Sequence, residues 1–437
     1  MIVAPASRSR VSGPTRRLRS AIRAAFGRDG VAWATPQVAA IGGFLVAYGV
    51  GLVGWAWRDT QRPLLITVAV GIGLVGWLAG IALGWRPEPV PDEPGHRGPV
   101  ARWVAPVGVA LVLAGWLALI LYFVRIGTLP ILLTDVENAR VDAATRGGAI
   151  LRVLSFLALL GTWLFAADAG ARRELRRTVV ASAFALVTSV AFVLTANRAQ
   201  AVQVLAVAAV AWCLAAGLRR ARIRLFTVGA TVVVVLVLGA GLIGAWRFAH
   251  SPGTWDDPEV RAAAVANDWP ALTSIAVGNY LRVPVRNFDL TMQAVPDVIP
   301  FQLGRTYLQP LLTVLPGRQT TFDADLKVAL NEDYAGGGTV PSILGEAWAN
   351  FGPFGWLLVP LVAGAALAAL YGIACRVAGP ATWALYAWLL VHLVGANLSG
   401  ILVASPFPYM AVVILGGAAA WEARHRDIGA RAPEPAA

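Results

Sequence analysis

The chemistry this chain could perform rests on Arg140, Arg198, Arg282, Arg286, Arg305 and Glu346, all in segments that interrupt an otherwise apolar sequence. Guanidinium groups bind phosphate oxygens through paired hydrogen bonds and stay charged when buried. A set of them beside a membrane suits the diphosphate of a lipid head group. Glu346 belongs to a polar stripe, Ser342, Glu346 and Asn350, which recurs at i, i+4 and i+8 and shares one face of a helix starting at Pro341-Ser342. Partial burial would raise the proton affinity of its carboxyl and suit it to act as a base, or to orient an arginine. The alternative is a carboxylate that only complements a helix N-terminus.

Each arginine also has a plain reading. Arg198 sits at the junction of two apolar segments, where it faces a cavity, a carboxylate or a phosphate, or else snorkels to the interface. Arg140 closes a loop that opens at Gly127, runs apolar, and continues through Asp142 and Arg146. That loop either dips into the membrane edge or connects two spans with its charges solvated. Arg282, Arg286 and Arg305 share a segment with Asp256, Asp257, Asp289, Asp297, Asp323, Asp325 and Asp333, so ordinary ion pairing is the competing account. Pro284 leaves open whether Arg282 and Arg286 share a helical face. Gly336 to Gly338 has the composition of a hinge for a flap.

The elements that must position these groups are membrane spans. The 437 residues are 57% hydrophobic and 14% charged, against about one quarter charged in soluble domains, and mean hydropathy is +0.65. Stretches near the roughly 20 apolar residues needed to cross a bilayer fall at 37–57, 64–85, 103–124, 149–168, 178–196, 200–218, 223–246, 353–375, 380–397 and 403–421. The expectation is an all-α polytopic membrane protein with about ten transmembrane helices. It divides into a basic tail at 1–36, spans one to seven at 37–246, a long external loop at 247–352 between the seventh and eighth, three further spans at 353–421, and a tail at 422–437. Within the first tail, Leu18, Ile22 and Phe26 form a stripe among arginines, which fits a helix lying on the anionic leaflet or a disordered basic tail.

Sidedness follows from charge. With both termini cytoplasmic, the clusters Arg172 to Arg177 and Arg219 to Arg224, the 86–102 linker and the C-terminal tail fall on the cytoplasmic side, as the positive-inside rule requires. The net charge of +12 is thereby a topology signal rather than a nucleic-acid footprint. The segments 58–63 and 125–148, the Asn197-Arg198 turn and 247–352 fall outside, the last with seven basic residues against eleven acidic ones. Cys213 and Cys375 lie in apolar segments without metal or disulfide spacing. No His, Cys or carboxylate set has zinc spacing, and no nucleotide-binding loop occurs in context. No metal or cofactor is expected. His392, inside a span, reads as a helix-packing hydrogen bonder or a weak functional flag, and His250 as a minor alternative base.

With these residues the chain resembles the Wzy-type O-antigen polymerases, the oligosaccharide repeat unit polymerases of bacterial envelopes. The likeness runs from about residue 125 to 356. It comprises a Gly-x-x-Pro loop ending in Arg140, the Ala196-Asn197-Arg198 turn, Gly304-Arg305-Thr306-Tyr307, Leu315-Pro316-Gly317, and Pro341-Ser342 with Gly345-Glu346 and Asn350-Phe351-Gly352. The resemblance implies a fold related to the C-type glycosyltransferases, a multi-pass protein of the bacterial cytoplasmic membrane, and a polyprenyl-diphosphate-linked glycan as substrate. It implies transfer of the growing glycan to the terminal sugar of a new lipid-linked unit in exopolysaccharide or O-antigen synthesis. Glu346, Arg198 and Arg305 would then be catalytic, and Arg140, Arg282, Arg286, Ser342 and Asn350 substrate-binding. The expected partners are the bilayer and a chain-length regulator or flippase, with no nucleic acid. Two alternatives remain: a ligase moving glycan to another acceptor, and a transporter or flippase of the lipid-linked glycan.

Overall fold

The computed structural model describes residues 26–27, 30–31, 35–52, 60, 62–85, 102–132, 148–195, 197–218, 239, 241–246, 248–250, 258–312, 320–331, 338–402 and 406–430. Apart from a two-residue antiparallel pairing of Phe26–Gly27 with Gly30–Val31, the regular elements described are helical. In chain order they are α1 (Pro36–Gly51), α2 (Pro63–Gly84), α3 (Val104–Ile126), α4 (Ala149–Ser155), α5 (Leu157–Arg172), α6 (Leu175–Leu194), α7 (Arg198–Ala215), α8 (Pro258–Val265), α9 (Trp269–Ala294), α10 (Arg305–Leu312), α11 (Phe322–Ala329), α12 (Ser342–Phe351), α13 (Pro353–Val377), α14 (Pro380–Ser399) and α15 (Phe407–Ala430). A 3-10 turn at Pro130–Leu132 follows α3.

Six of the described helices are long and apolar enough to cross a membrane: α2, α3, α4 with α5, α6, α13 and α14. Among the described residues these account for six of the ten expected spans. α1 and α7 are apolar but shorter, most of 223–246 lies outside the described residues, and α15 carries Glu422 and Arg424 in its second half. Leu18 and Ile22 of the basic tail lie outside the described residues, while Phe26, the third member of that stripe, pairs with Val31. Residues 133–147, with Arg140, and Leu315 to Gly317 also lie outside them. Exposed side chains such as Leu64, Val68, Val75 and Leu83 on α2, and Leu113, Leu117, Ile120 and Val124 on α3, form the apolar surface expected to face lipid.

Small residues set the helix packing. Gly76, Gly80 and Gly84 of α2 lie against the backbone at Leu357, Leu361 and Ala365 of α13 in matching order, so these two helices run parallel in close backbone contact. Trp163 Nε1 of α5 donates to the Val204 carbonyl and Gly170 meets Trp212, which makes α5 and α7 parallel. α3 and α5 cross antiparallel where Gly108 meets Phe165 and Gly115 meets Ala158. The alternation fits the expected crossing order. The chain leaves one end of the bundle at Leu218, beside the Arg173 guanidinium on the Ala216 carbonyl, and by Gly241 it contacts Thr273 and Val277 of α9 at the other end.

The two ends differ in charge. One gathers Arg172, Arg173, Arg177 and Arg376, with the buried Asp168 carboxylate taking Arg172 at 3.1 Å and Arg177 at 2.8 Å. The opposite end carries the 258–351 segment. Within the expected external loop, the described residues form five helices, α8 to α12. Its apolar residues recur at helical intervals that are too short or too polar to register as spans. α9 runs through Pro284 as one 26-residue helix, so Arg282 and Arg286 stand one turn apart, both exposed. The question left open by Pro284 resolves to a shared face.

Candidate functional site

At that end, three segments distant in sequence meet around α12. The turn before α10 is stitched to the last turn of α12, with the Gln302 and Leu303 amides donating to the Ala349 and Asn350 carbonyls at 2.8 and 3.1 Å. Gly304, at φ +91°, takes a left-handed backbone that a side chain would strain. Its N–H donates to Asn350 Oδ1 at 2.8 Å. Asn350 Nδ2 donates both to Thr306 Oγ1 at 2.6 Å and to the Glu346 carbonyl at 2.8 Å. The Thr306 hydroxyl donates to Glu346 Oε1 at 3.3 Å. The other carboxylate oxygen accepts the Ile401 N–H, and the Leu402 N–H is also directed at the group, both from the turn after α14.

Ser342, Thr306, Glu346 and Asn350 are each 0% exposed. Helix α12 begins at Ser342 and carries the stripe on one face, as its spacing predicts. The partial burial expected for Glu346 becomes complete burial, because the face is closed by protein. Polar residues at i, i+4 and i+8 have the same spacing whether they line a cavity or meet partners. Ser342 Oγ accepts from the Tyr48 hydroxyl of α1 at 3.2 Å, and the Leu344 N–H donates to that hydroxyl at 3.3 Å, so Tyr48 and Ser342 together secure the start of α12. Glu346 does not serve its own helix N-terminus. It reaches across to another turn.

Burial pushes the Glu346 carboxyl up to about 7 from an ordinary 4.5, against the opposing pull of the Ile401 N–H, the Thr306 hydroxyl and the Leu402 N–H. A carboxyl bound to its proton more tightly in the folded state stabilises the fold most below about pH 4.5 and loses that contribution as pH rises to about 7. The interval is worth on the order of 3 kcal/mol. In detergent, the thermal midpoint of the wild type is expected to fall between pH 5 and 7.5 more than that of Glu346→Gln. Equal slopes would contradict the raised proton affinity. Burial and the Glu346 charge also push the Tyr307 phenol well up.

The arginines surround this node unevenly. Arg305 is exposed at the first position of α10, one residue from Thr306. Arg282 and Arg286 are exposed on α9, whose Asn287 Nδ2 holds the Val340 carbonyl at 2.7 Å just before α12 and whose Thr291 abuts Gly345. Arg198 opens α7 at the same end, where Phe192, Phe156 and Phe407 pack together. Its side chain lies outside the described residues, and so does Arg140. His250 stacks on Trp246 at 3.8 Å in a separate apolar cluster. Gly338 sits against Asp323, where a Cβ would be 2.5 Å from the backbone, so this glycine serves close packing rather than a hinge; Gly336 and Gly337 lie outside the described residues. A surface concavity of about 520 Å³ between α8 and α9, lined by Glu259, Asp268 and Ser274 among alanines, includes none of the candidates.

Thr306, Tyr48, Ile401 and Leu402 were not among the expected site residues. Thr306 was visible only as part of Gly304 to Tyr307, and backbone N–H groups leave no mark in a sequence. Among the described residues, no three His, Cys, Asp or Glu side chains group as a metal site. Fold and site together define a helical protein with helices long and apolar enough to cross a membrane and a helical cap closing over a buried carboxyl. No family model matches the chain, and neither does any curated protein or solved structure.

Proposed function

We propose that the protein is a membrane glycosyltransferase that polymerises lipid-diphosphate-linked oligosaccharide repeat units on the outer face of a bacterial cytoplasmic membrane. The observation that carries this reading is convergence. Gly304, Arg305 and Thr306 meet Glu346 and Asn350, two blocks of the polymerase resemblance some forty residues apart, at the end of the bundle away from Arg172, Arg173 and Arg177. The positive-inside rule makes that end external.

In the proposed reaction the bond from the anomeric carbon to the diphosphate breaks, and the acceptor hydroxyl of the incoming unit forms the new glycosidic bond. The leaving lipid diphosphate accumulates charge, which Arg305 and Arg198, with Arg282, Arg286 and Arg140 as further substrate contacts, would stabilise. The acceptor proton passes to a base. Glu346, with a proton affinity matched to neutral pH, suits that role. Its carboxylate must first be released by the Ile401 and Leu402 amides, so turnover on this reading includes an opening of the cap. Ser342 and Asn350, although first expected to bind substrate, would act here by shaping α12.

Purified protein with a lipid-diphosphate repeat unit and a chelator is expected to give a ladder of products resolved by length. Arg305→Ala and Arg198→Ala should each lower its rate about 10²-fold, the usual effect of removing one electrostatic stabiliser, with smaller losses for Arg282→Ala and Arg286→Ala. A ladder unchanged in the first two overturns the site. Absence of both ladder and lipid-diphosphate release overturns the enzyme, and transfer to a foreign acceptor in place of a ladder makes it a ligase.

A further inference from the structure

Glu346 is held by a residue that is itself held. Ile401 gives its N–H to the Glu346 carboxylate, and its carbonyl lies 2.7 Å from His392 Nε2 of α14. The His392 ring is packed face to face with Trp388 at 5.3 Å. We propose that His392 is a positioning residue for Glu346, fixing Ile401 so that its amide meets the carboxylate.

Three features carry this assignment. Ile401 belongs to a short turn between two long helices, with Gly400 at φ +83° before it, so its amide direction is not set by a helix or strand. His392 is two turns back on α14, and its ring nitrogen meets the Ile401 carbonyl. Since a carbonyl only accepts, the geometry requires the Nε2–H tautomer. A carboxyl held by an N–H is favoured in its charged form, so the orientation of Ile401 feeds directly into the proton affinity of Glu346. Among the described residues, the other titratable groups facing Glu346 are Tyr307 of α10 and Tyr409 of α15; Tyr48 of α1 lies one turn away on Ser342 and Leu344. The proposal rests on the glycosyltransferase reading only in giving Glu346 a part in turnover.

The test reads Glu346 directly. Its carboxyl band is followed by pH-difference infrared spectroscopy on the full-length protein in lipid nanodiscs, with Glu346→Gln identifying the band. His392→Phe keeps the ring stacked on Trp388 and removes the donor. It is expected to raise the Glu346 midpoint by about one pH unit, the equivalent of one weakened charge-assisted hydrogen bond. His392→Gln, which carries an amide donor, should bring the midpoint back toward the wild-type value. An unchanged midpoint in His392→Phe, or one that His392→Gln raises equally, overturns the proposal. Nitrogen NMR of wild-type protein labelled at histidine gives a second check that needs no variant at 392. The Nε2–H tautomer is expected at His392, and Nδ1–H overturns the assignment. A shifted midpoint in a protein that makes no glycan ladder would uphold the positioning role and sink the polymerase.

Discussion

Glu346→Ala is expected to lower thermal stability and abolish the glycan ladder together, whereas Glu346→Gln keeps the fold and loses the ladder alone. The alanine leaves the Ile401 and Leu402 amides and the Thr306 hydroxyl without their acceptor in a site closed to water. Each such orphan costs about 1–3 kcal/mol, and with at least two of them the loss rivals a good part of a protein's net stability. Glutamine preserves most of the geometry. Its carbonyl oxygen can accept from Ile401 and its amide can face the Thr306 oxygen, which has a second lone pair beside the one used by Asn350. It cannot take up a proton. If Glu346 is the base, its loss as glutamine should slow transfer by about 10²–10⁴-fold at neutral pH. The two variants therefore separate a structural carboxyl from a reacting one. Melting curves in detergent and product ladders by length are the measurements. A glutamine variant with wild-type ladders would leave Glu346 as a strut of the cap and move the base elsewhere.

Much of this architecture was legible in the sequence, and the limits have physical causes. The spans from α2 through α6, and α13 and α14, announce themselves because about 20 apolar residues have few other uses. α1 and α7 are apolar but shorter over their described residues, so they carry less of that signal. The stripe of Ser342, Glu346 and Asn350 was legible as a helix face. What the face meets was not, since spacing fixes direction but not the neighbour. Thr306 lies 40 residues from Glu346 in sequence, and only their order within the polymerase resemblance hinted at proximity. The amides of Ile401 and Leu402 were beyond reach altogether. Arg282 and Arg286 show the reverse case: Pro284 argues against a shared face by local propensity, and the packing of α9 overrides it.

Gly76, Gly80 and Gly84 recur every four residues on α2 and bring it onto the backbone of α13. Gly80→Leu is expected to unfold or severely destabilise the protein. A Cβ at Gly80 would fall inside van der Waals contact with the Leu361 carbonyl of α13, and the atom in its way is backbone, which cannot rotate aside. The two helices would have to separate along their whole contact, including Gly76 on Leu357, Gly84 on Ala365 and Gly364 on Trp77. Overpacking a core costs about 1–3 kcal/mol when side chains can adjust, and this site offers no such adjustment, so the loss should be at or above that range. Gly80→Ala should act in the same direction with a smaller effect. Gly71 supplies the control, since it lies on the same helix with no atom within 4 Å of its would-be Cβ, and Gly71→Leu should leave melting near wild type. The disturbance should also reach the carboxyl node. Gly73 of α2 packs on Leu344 of α12, and α13 begins two residues after α12 ends, so α12 is held by the very pair that Gly80→Leu pries apart. In Gly80→Ala, if it folds, the Glu346 midpoint should move away from about 7 as the enclosure loosens, downward because water readmitted to the site favours the charged form. Wild-type melting in Gly80→Leu would mean that α2 and α13 do not pack backbone to backbone.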